Sequence, residues 1–325
     1  MNRATMNGKP VFTVPAKTVI NFKSGFEHKK LCDGPTFSAG TACVYSCAFC
    51  YVPDMFKKMA PALAAQGVVG KHEDIVIRRA NAAAIAEAQL TDKHGHPKFL
   101  DVFDKRVIFS SPAVDVAGNM ELVEETVYIC KAILTKTNWQ IRLLSKSNLL
   151  PEVAKRIPDF DQHRMIYGVS TGTLDDGLAR VFEQGTPLVS KRIESLHWLQ
   201  DHGHRTFGMI CPSLPQSNYW RFAAEMSAAI RSEKCEHVWA EVINARGESF
   251  ARTLAALRAG GYEAEAVQLE TVGTDRMAWE HYARQTFAAH SLAYTGTDKL
   301  RFLQYVTADT RGYWQSQEGS GAILL

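Results

Sequence analysis

Three cysteines fall in one short run, Cys43-Val-Tyr-Ser-Cys47-Ala-Phe-Cys50, with Tyr51 directly after the last. The spacing C-x-x-x-C-x-x-C puts three thiolates on one tight loop. Three thiolates can hold three irons of a 4Fe–4S cube and leave the fourth iron without a protein ligand. Electron-transfer clusters have four protein ligands, whereas an incompletely ligated one can bind a small molecule at its open iron and is built for chemistry. A structural zinc site competes with this reading. Zinc takes four ligands in closed sites, and Cys32 or His28 could supply the fourth. Disulfide pairing is a weaker alternative, because seven cysteines is an odd number and no secretory signal is visible.

The other cysteines read as bystanders. Cys32 is expected beside the loop rather than on metal. Cys130 falls in a helical pattern with Val127, Ile133 and Leu134 and reads as core. Cys235 sits among charged residues before a strand and reads as incidental. Cys211 ends a strand and is kept as a candidate for a functional role.

The chain has 325 residues, 46% of them hydrophobic and 22% charged, ordinary values for a globular protein with a sizeable core. A net charge of +3 is too small to identify a nucleic-acid partner. No apolar stretch approaches a membrane span, and the basic N-terminus lacks the apolar block of a signal peptide. The expected location is the reducing cytoplasm, with no membrane partner.

Residues 1–30, with Lys9, Lys17, Lys23, Lys29 and Lys30, read as an irregular N-terminal arm. From residue 36 strand and helix patterns alternate. Strands are expected at 36–42, 106–110, 140–144, 165–170, 206–211 and 237–243. Helices are expected at 72–90, 119–137, 148–156, 174–182, 190–201 and 220–232. Six β-α units predict a parallel sheet in a partial (β/α)6 TIM-type barrel spanning residues 31–243, with a doubly wound open sheet as the alternative. In both, functional groups collect at the carboxyl ends of the strands, where the cysteine loop falls. Residues 244–325 read as a C-terminal extension, a lid or substrate platform, with a helix over 274–289. The aromatics of its tail (Tyr305, Tyr313, Trp314) beside Lys299, Arg301 and Arg311 fit either a packed cap or a surface that stacks bases.

The cysteine motif resembles that of the radical S-adenosylmethionine (radical SAM) superfamily. Later segments resemble one branch, the spore photoproduct lyases and their photolyase-like relatives. These segments are Cys50-Tyr51, Arg142-Leu-Leu-Ser-Lys146-Ser, Gly168-Val-Ser170, Glu183-Gln-Gly-Thr-Pro187, Lys191-Arg-Ile-Glu194 and Gly208-Met-Ile-Cys-Pro212, within residues 30–243. The resemblance implies that Cys43, Cys47 and Cys50 bind a 4Fe–4S cluster whose open iron takes S-adenosylmethionine (SAM). Cleavage of SAM then yields a 5′-deoxyadenosyl radical that abstracts hydrogen in a lyase- or isomerase-type reaction. It implies that Lys146 pairs with the SAM carboxylate, that Ser170 donates to SAM, and that Tyr51 packs near adenine or substrate. Ser110, Ser111 and Asp115 would face SAM or substrate, although Asp115 could instead cap the next helix. Glu183 and Arg180 would brace the turn. The implied partners are a nucleobase, nucleoside or nucleic acid as substrate and a reductase or flavodoxin/ferredoxin-type electron donor. A peptide or metabolite is the alternative substrate, and a zinc-stabilised binding module the alternative class. One departure stands out. That branch has a hydrogen-donating cysteine just beyond the second strand, whereas Phe109–Asp115 here has none. Cys211, Tyr51 or Tyr219 would then donate, or the chemistry ends differently.

Overall fold

β-Branched and aromatic residues dominate the strands of this chain, and alanine- and leucine-rich amphipathic segments follow most of them. The computed structural model describes residues 4–110, 113–244 and 247–325. Eight parallel strands make the main sheet: β1 (Thr36–Phe37), β2 (Val107–Ser110), β3 (Gln140–Ser145), β4 (Met165–Ser170), β5 (Arg205–Ser213), β6 (Cys235–Val242), β7 (Leu300–Gln304) and β8 (Ala322–Leu324). Neighbours in sequence are neighbours in the sheet, all the way from β1 to β8. A doubly wound sheet reverses its strand order at a switch point, so that alternative is set aside. The short segment Ile20–Asn21 pairs antiparallel with β1, and no pairing joins it to β8 among the described residues.

The sheet is nevertheless strongly curled. Phe109 on β2, Phe207 on β5, Trp239 on β6, Leu303 on β7 and Ile323 on β8 belong to one buried cluster with Leu31 and Cys32. Six strand spacings of about 4.8 Å would separate β2 from β8 far beyond side-chain reach if the sheet were flat. The inner face is plugged from the amino ends of the strands by residues 26–33. Arg142 on β3 holds the plug, since its Nη1 donates to the Leu31 carbonyl at 2.6 Å. Its guanidinium centre lies 4.9 Å from the Trp239 ring and 5.5 Å from that of Phe207.

Helices pack around the strands: α1 (Val52–Ala64), α2 (Ala82–Leu90), α3 (Met120–Lys136), α4 (Leu150–Ala154), α5 (Asp176–Phe182), α6 (Val189–Asp201), α7 (Tyr219–Ala229), α8 (Glu248–Ala259), α9 (Glu263–Thr274), α10 (Arg276–Ala293) and α11 (Arg311–Ser316). Local rules account for α3. Asn119 caps it, accepting from the Leu122 N–H at 2.9 Å. Leu122, Val123, Val127, Cys130, Ile133 and Leu134 then recur at helical spacing and are buried. Asn119→Ala should cost about 1 kcal/mol, read as a lower denaturant midpoint at unchanged slope.

Four expectations need revision. Residues 300–325, placed in the extension, contribute β7 and β8 to the main sheet, so six strands become eight. The helix expected over 72–90 is divided, because the β-branched run Ile75-Val76-Ile77 forms a strand (Val76–Arg79) before α2. That strand joins a second, four-stranded sheet with Thr5–Met6, Lys9–Val14 and Gly40–Ala42. Phe12, Phe56, Leu63 and Ile77 form its own core under α1, so much of the N-terminal arm is ordered structure. Cys235 is also core rather than incidental, buried at the start of β6 beside Thr206 and Gln200. No described helix is long and apolar enough to cross a membrane.

Candidate active site: a cysteine loop at the carboxyl ends of the strands

The loop 43–50 leaves the small sheet and runs over the carboxyl end of the main one. Its middle is a strand, since Ser46 and Cys47 pair antiparallel with Gln184 and Glu183. The Ala48 N–H adds a bond to the Phe182 carbonyl at 2.8 Å. The turn Glu183-Gln-Gly-Thr-Pro187 is therefore the cysteine loop's hydrogen-bonding partner. Two cations clamp the other carbonyls. Lys9 Nζ donates to Tyr45 O at 3.1 Å and Cys43 O at 3.4 Å. Arg252 on α8 donates to Ala48 O at 3.1 Å and Cys50 O at 2.6 Å.

Cys43, Cys47 and Cys50 line one cavity of about 160 Å³ together with Tyr51, Asp115, Lys146 and Ser170. All three thiols are held above their ordinary range, chiefly by burial. Cys43 is pushed up to about 12, with the Asp115 carboxylate adding to the burial. Cys47 is raised by burial and then by Glu183, against the pull of Lys146. Cys50 is raised by burial, against the Val52 N–H and Arg252. Such thiols stay protonated until a metal displaces the proton. The Asp115 N–H points at Cys43 Sγ (3.4 Å), a contact of the kind that tunes iron-bound sulfur.

A zinc ion draws its ligands to within about 2.3 Å of one point. Among the described residues no three His, Cys, Asp or Glu side chains are so arranged. A cube makes no such demand, because each thiolate takes a different iron. The donor set, three thiols facing one cavity with N–H groups and cations around them, fits a 4Fe–4S cluster better than a single ion. Cys32 lies at the opposite end of the strands, lining a cavity with Val107 and Arg142, and His28 is exposed. Neither joins the loop.

Lys146 follows β3 and Ser170 ends β4. The Lys146 ammonium uses all three donors inside the protein, on Glu183 Oε1 (2.6 Å), Ser170 Oγ (3.0 Å) and Cys211 O (3.3 Å). Its Nζ lies 5.1 Å from the centre of the Phe49 ring. Glu183 is fully buried, and its second oxygen accepts from Arg192 Nη2 at 2.5 Å. Arg192, also fully buried, reaches Ser170 O (3.1 Å) and Pro187 O (2.9 Å). Burial pushes the Glu183 carboxyl up, but Lys146 and Arg192 together hold it below its ordinary value. Glu183 thus braces the turn, as expected, and also anchors Lys146. The arginine beside it is Arg192, not Arg180, which is exposed.

Asp115 is buried and does not cap α3, the role Asn119 fills. Its carboxylate accepts from Ser145 Oγ and the Lys146 N–H, both at 2.7 Å, and from the Ala117 N–H at 2.9 Å. It ties the loop after β2 to the end of β3, with burial raising its carboxyl despite these donors. Ser110 is not brought to the cavity, because it is buried and its hydroxyl donates to Phe37 O at 3.3 Å. Ser111 lies outside the described residues. Tyr51 is half exposed and lines the cavity. Cys211 turns only its carbonyl to Lys146, while its thiol lies 3.7 Å from Glu241 Oε2. Tyr219 opens α7, where its ring packs near Tyr282 (6.3 Å between centres). Lys9 and Arg252 escaped the sequence reading, since each reaches the loop from a distant segment and belongs to no motif.

A single-residue variant of spore photoproduct lyase superposes with a TM-score of 0.52 at 12% identity, covering 76% of this chain and 66% of that one. Spore photoproduct lyase complexed with dinucleoside spore photoproduct gives a TM-score of 0.50 at 11% identity, with the same coverage. The chain therefore has the α/β fold of spore photoproduct lyase, the branch its motifs resemble, and spans about two thirds of that enzyme's length. No known family profile matches the sequence, and no curated protein does.

Proposed function

We propose that this chain is a radical SAM enzyme in which Cys43, Cys47 and Cys50 hold a 4Fe–4S cluster and the adjoining cavity takes S-adenosylmethionine. One observation carries the reading: the three cysteines, Lys146 and Ser170 line the same cavity at the carboxyl ends of the strands. Bound together, the two cofactors supply a 5′-deoxyadenosyl radical able to take hydrogen from an unactivated carbon. The chain's own residues bind, orient and shield. Lys146 offers a charge-assisted bond to the methionine carboxylate by giving up its longest contact, the Cys211 carbonyl. Glu183 keeps that ammonium aimed, and Asp115 fixes the backbone on which it stands. Tyr51, half exposed, lines the cavity, and its ring would limit water there. Reacting atoms must approach to about 3–3.5 Å, so this positioning outweighs acid–base power.

The proposed substrate is a nucleobase, nucleoside or nucleic acid, a reading supported by the dinucleoside bound to the similar lyase. A lyase- or isomerase-type outcome and an electron donor of the reductase, flavodoxin or ferredoxin kind belong to the same proposal, in a reducing cytoplasm. The test is anaerobic reconstitution with iron and sulfide, then incubation with SAM and dithionite. A brown protein that releases 5′-deoxyadenosine, seen by mass spectrometry, is expected. A colourless protein with stoichiometric zinc would refute the proposal.

A further inference from the structure

A second cleft, of about 340 Å³, lies beyond the rim of the main sheet. Its floor is the outward-facing end of β6 and β7, with Val242, Asn244 and Gln304. Its roof is the loop between α9 and α10 and the first turns of α10, with Trp279 and Glu280. This size lies at the lower end of small-ligand pockets.

Most polar groups around the cleft are already engaged. Glu280 Oε1 accepts from Trp314 Nε1 (2.9 Å) and Arg284 Nε (2.8 Å). Asp275 caps α10 through the Met277 N–H at 2.7 Å. Arg276 is paired with Asp309 and Thr307. Gln304 is the exception. It is 2% exposed, and its Oε1 has no hydrogen-bond partner among the described residues. Its Nε2 donates to the Tyr305 carbonyl at 3.2 Å, which fixes which end of the amide is oxygen. A buried acceptor without a donor is costly, and the residue that carries it lines the cleft, as does the half-buried Trp279 of the roof.

We infer that this cleft is a binding subsite for a planar, uncharged nitrogen heterocycle, a purine or pyrimidine base that gives an N–H to Gln304 Oε1 and lies against Trp279. A phosphate is disfavoured, because Asp275 and Glu280 line the cleft and its cation Arg276 is already neutralised by Asp309. The inference deepens the function proposed above and rests on it for its purpose. Tyr305 lines this cleft and stands 5.5 Å from Lys29 Nζ. Lys29 in turn pairs with Glu241 at 3.6 Å, Glu241 lies 3.7 Å from Cys211 Sγ, and the Cys211 carbonyl accepts from Lys146 on the cysteine cavity. A nucleoside seated on Gln304 would therefore extend across Tyr305 toward the reacting centre.

The test uses the full chain with its cluster reconstituted anaerobically and saturated with S-adenosylhomocysteine, which occupies any adenosine site beside Lys146. Cytidine, thymidine, guanosine and ribose 5-phosphate are titrated by calorimetry. At least one nucleoside should bind and ribose 5-phosphate should not. Gln304→Leu should weaken nucleoside binding about tenfold or more, and so should Trp279→Leu, a change at a half-buried position that carries the test if the buried variant fails to fold. The inference is overturned if no nucleoside binds, if the variants bind as tightly as the parent, or if ribose 5-phosphate binds equally well. Formation of 5′-deoxyadenosine without nucleoside binding would sink the subsite alone. Absence of 5′-deoxyadenosine would sink the radical reading, whatever the calorimeter shows.

Discussion

Glu183→Ala should be the most destabilising single substitution near the site, at about 3–5 kcal/mol. Glu183 is fully buried, and its two oxygens separate Lys146 Nζ from Arg192 Nη2. Removing it leaves two cations facing a small void, one of them wholly desolvated. The size of the effect comes from those abandoned charges rather than from the net value of the intact triad. Glu183→Gln keeps the shape and one acceptor, but it loses the charge and turns an amide NH2 donor toward one of the two cations; it should fall between the parent and the alanine variant. Acid supplies a second reading. The folded-state carboxyl lies below its ordinary value, so its contribution is complete above about pH 4.3 and is lost as pH falls through the folded value. The stability gap between parent and Glu183→Gln should therefore be widest near neutrality and shrink in acid. Urea midpoints at pH 7 and near pH 4 measure this, and equal midpoints at pH 7 would show that the triad contributes nothing.

Cys47→Ala should abolish chemistry while leaving the fold. Cys47 contributes to the structure through its backbone pairing with Glu183 and through a half-buried side chain, so losing one sulfur removes little packing. As the cluster ligand proposed above it would be irreplaceable, since two thiolates would leave two irons open and the cube unstable. Iron content after reconstitution should fall to background, as should 5′-deoxyadenosine. Full SAM cleavage by this variant would refute the cluster assignment. Cys211→Ala is the matched control, because its thiol faces Glu241 and lies outside the cavity lining. It should retain both cluster and SAM cleavage.

Local chemistry explains which parts of the molecule were legible beforehand. The cysteine loop was readable because its three thiols lie within one short run. Most strands and helices from β2 to β6 were readable because apolar periodicity is a local signal. The strand Val76–Arg79 was hidden inside an alanine-rich stretch that scores as helix. β8 has only three residues, too few for any alternation to register. Lys146 and Ser170 were placed correctly at strand ends, but their mutual bond and the pairing with Glu183 depend on how three separate segments dock. Ser110 misled because position at a strand end does not fix which way a hydroxyl turns. Lys9, Arg252 and Gln304 were invisible for the same reason. Each owes its place to contacts with residues far along the chain, and no spacing rule encodes those.

The clamp of Arg252 on the Ala48 and Cys50 carbonyls has a consequence for how the protein matures. The sulfurs are translated early, but their seat is finished only when a helix some two hundred residues later has docked. A nascent polypeptide that has not yet released α8 from the ribosome presents three thiols on an unsecured strap. If the strap holds a cluster, as proposed, its loading waits on the docking of that distant helix, and iron–sulfur delivery would follow the folding of this region rather than precede it.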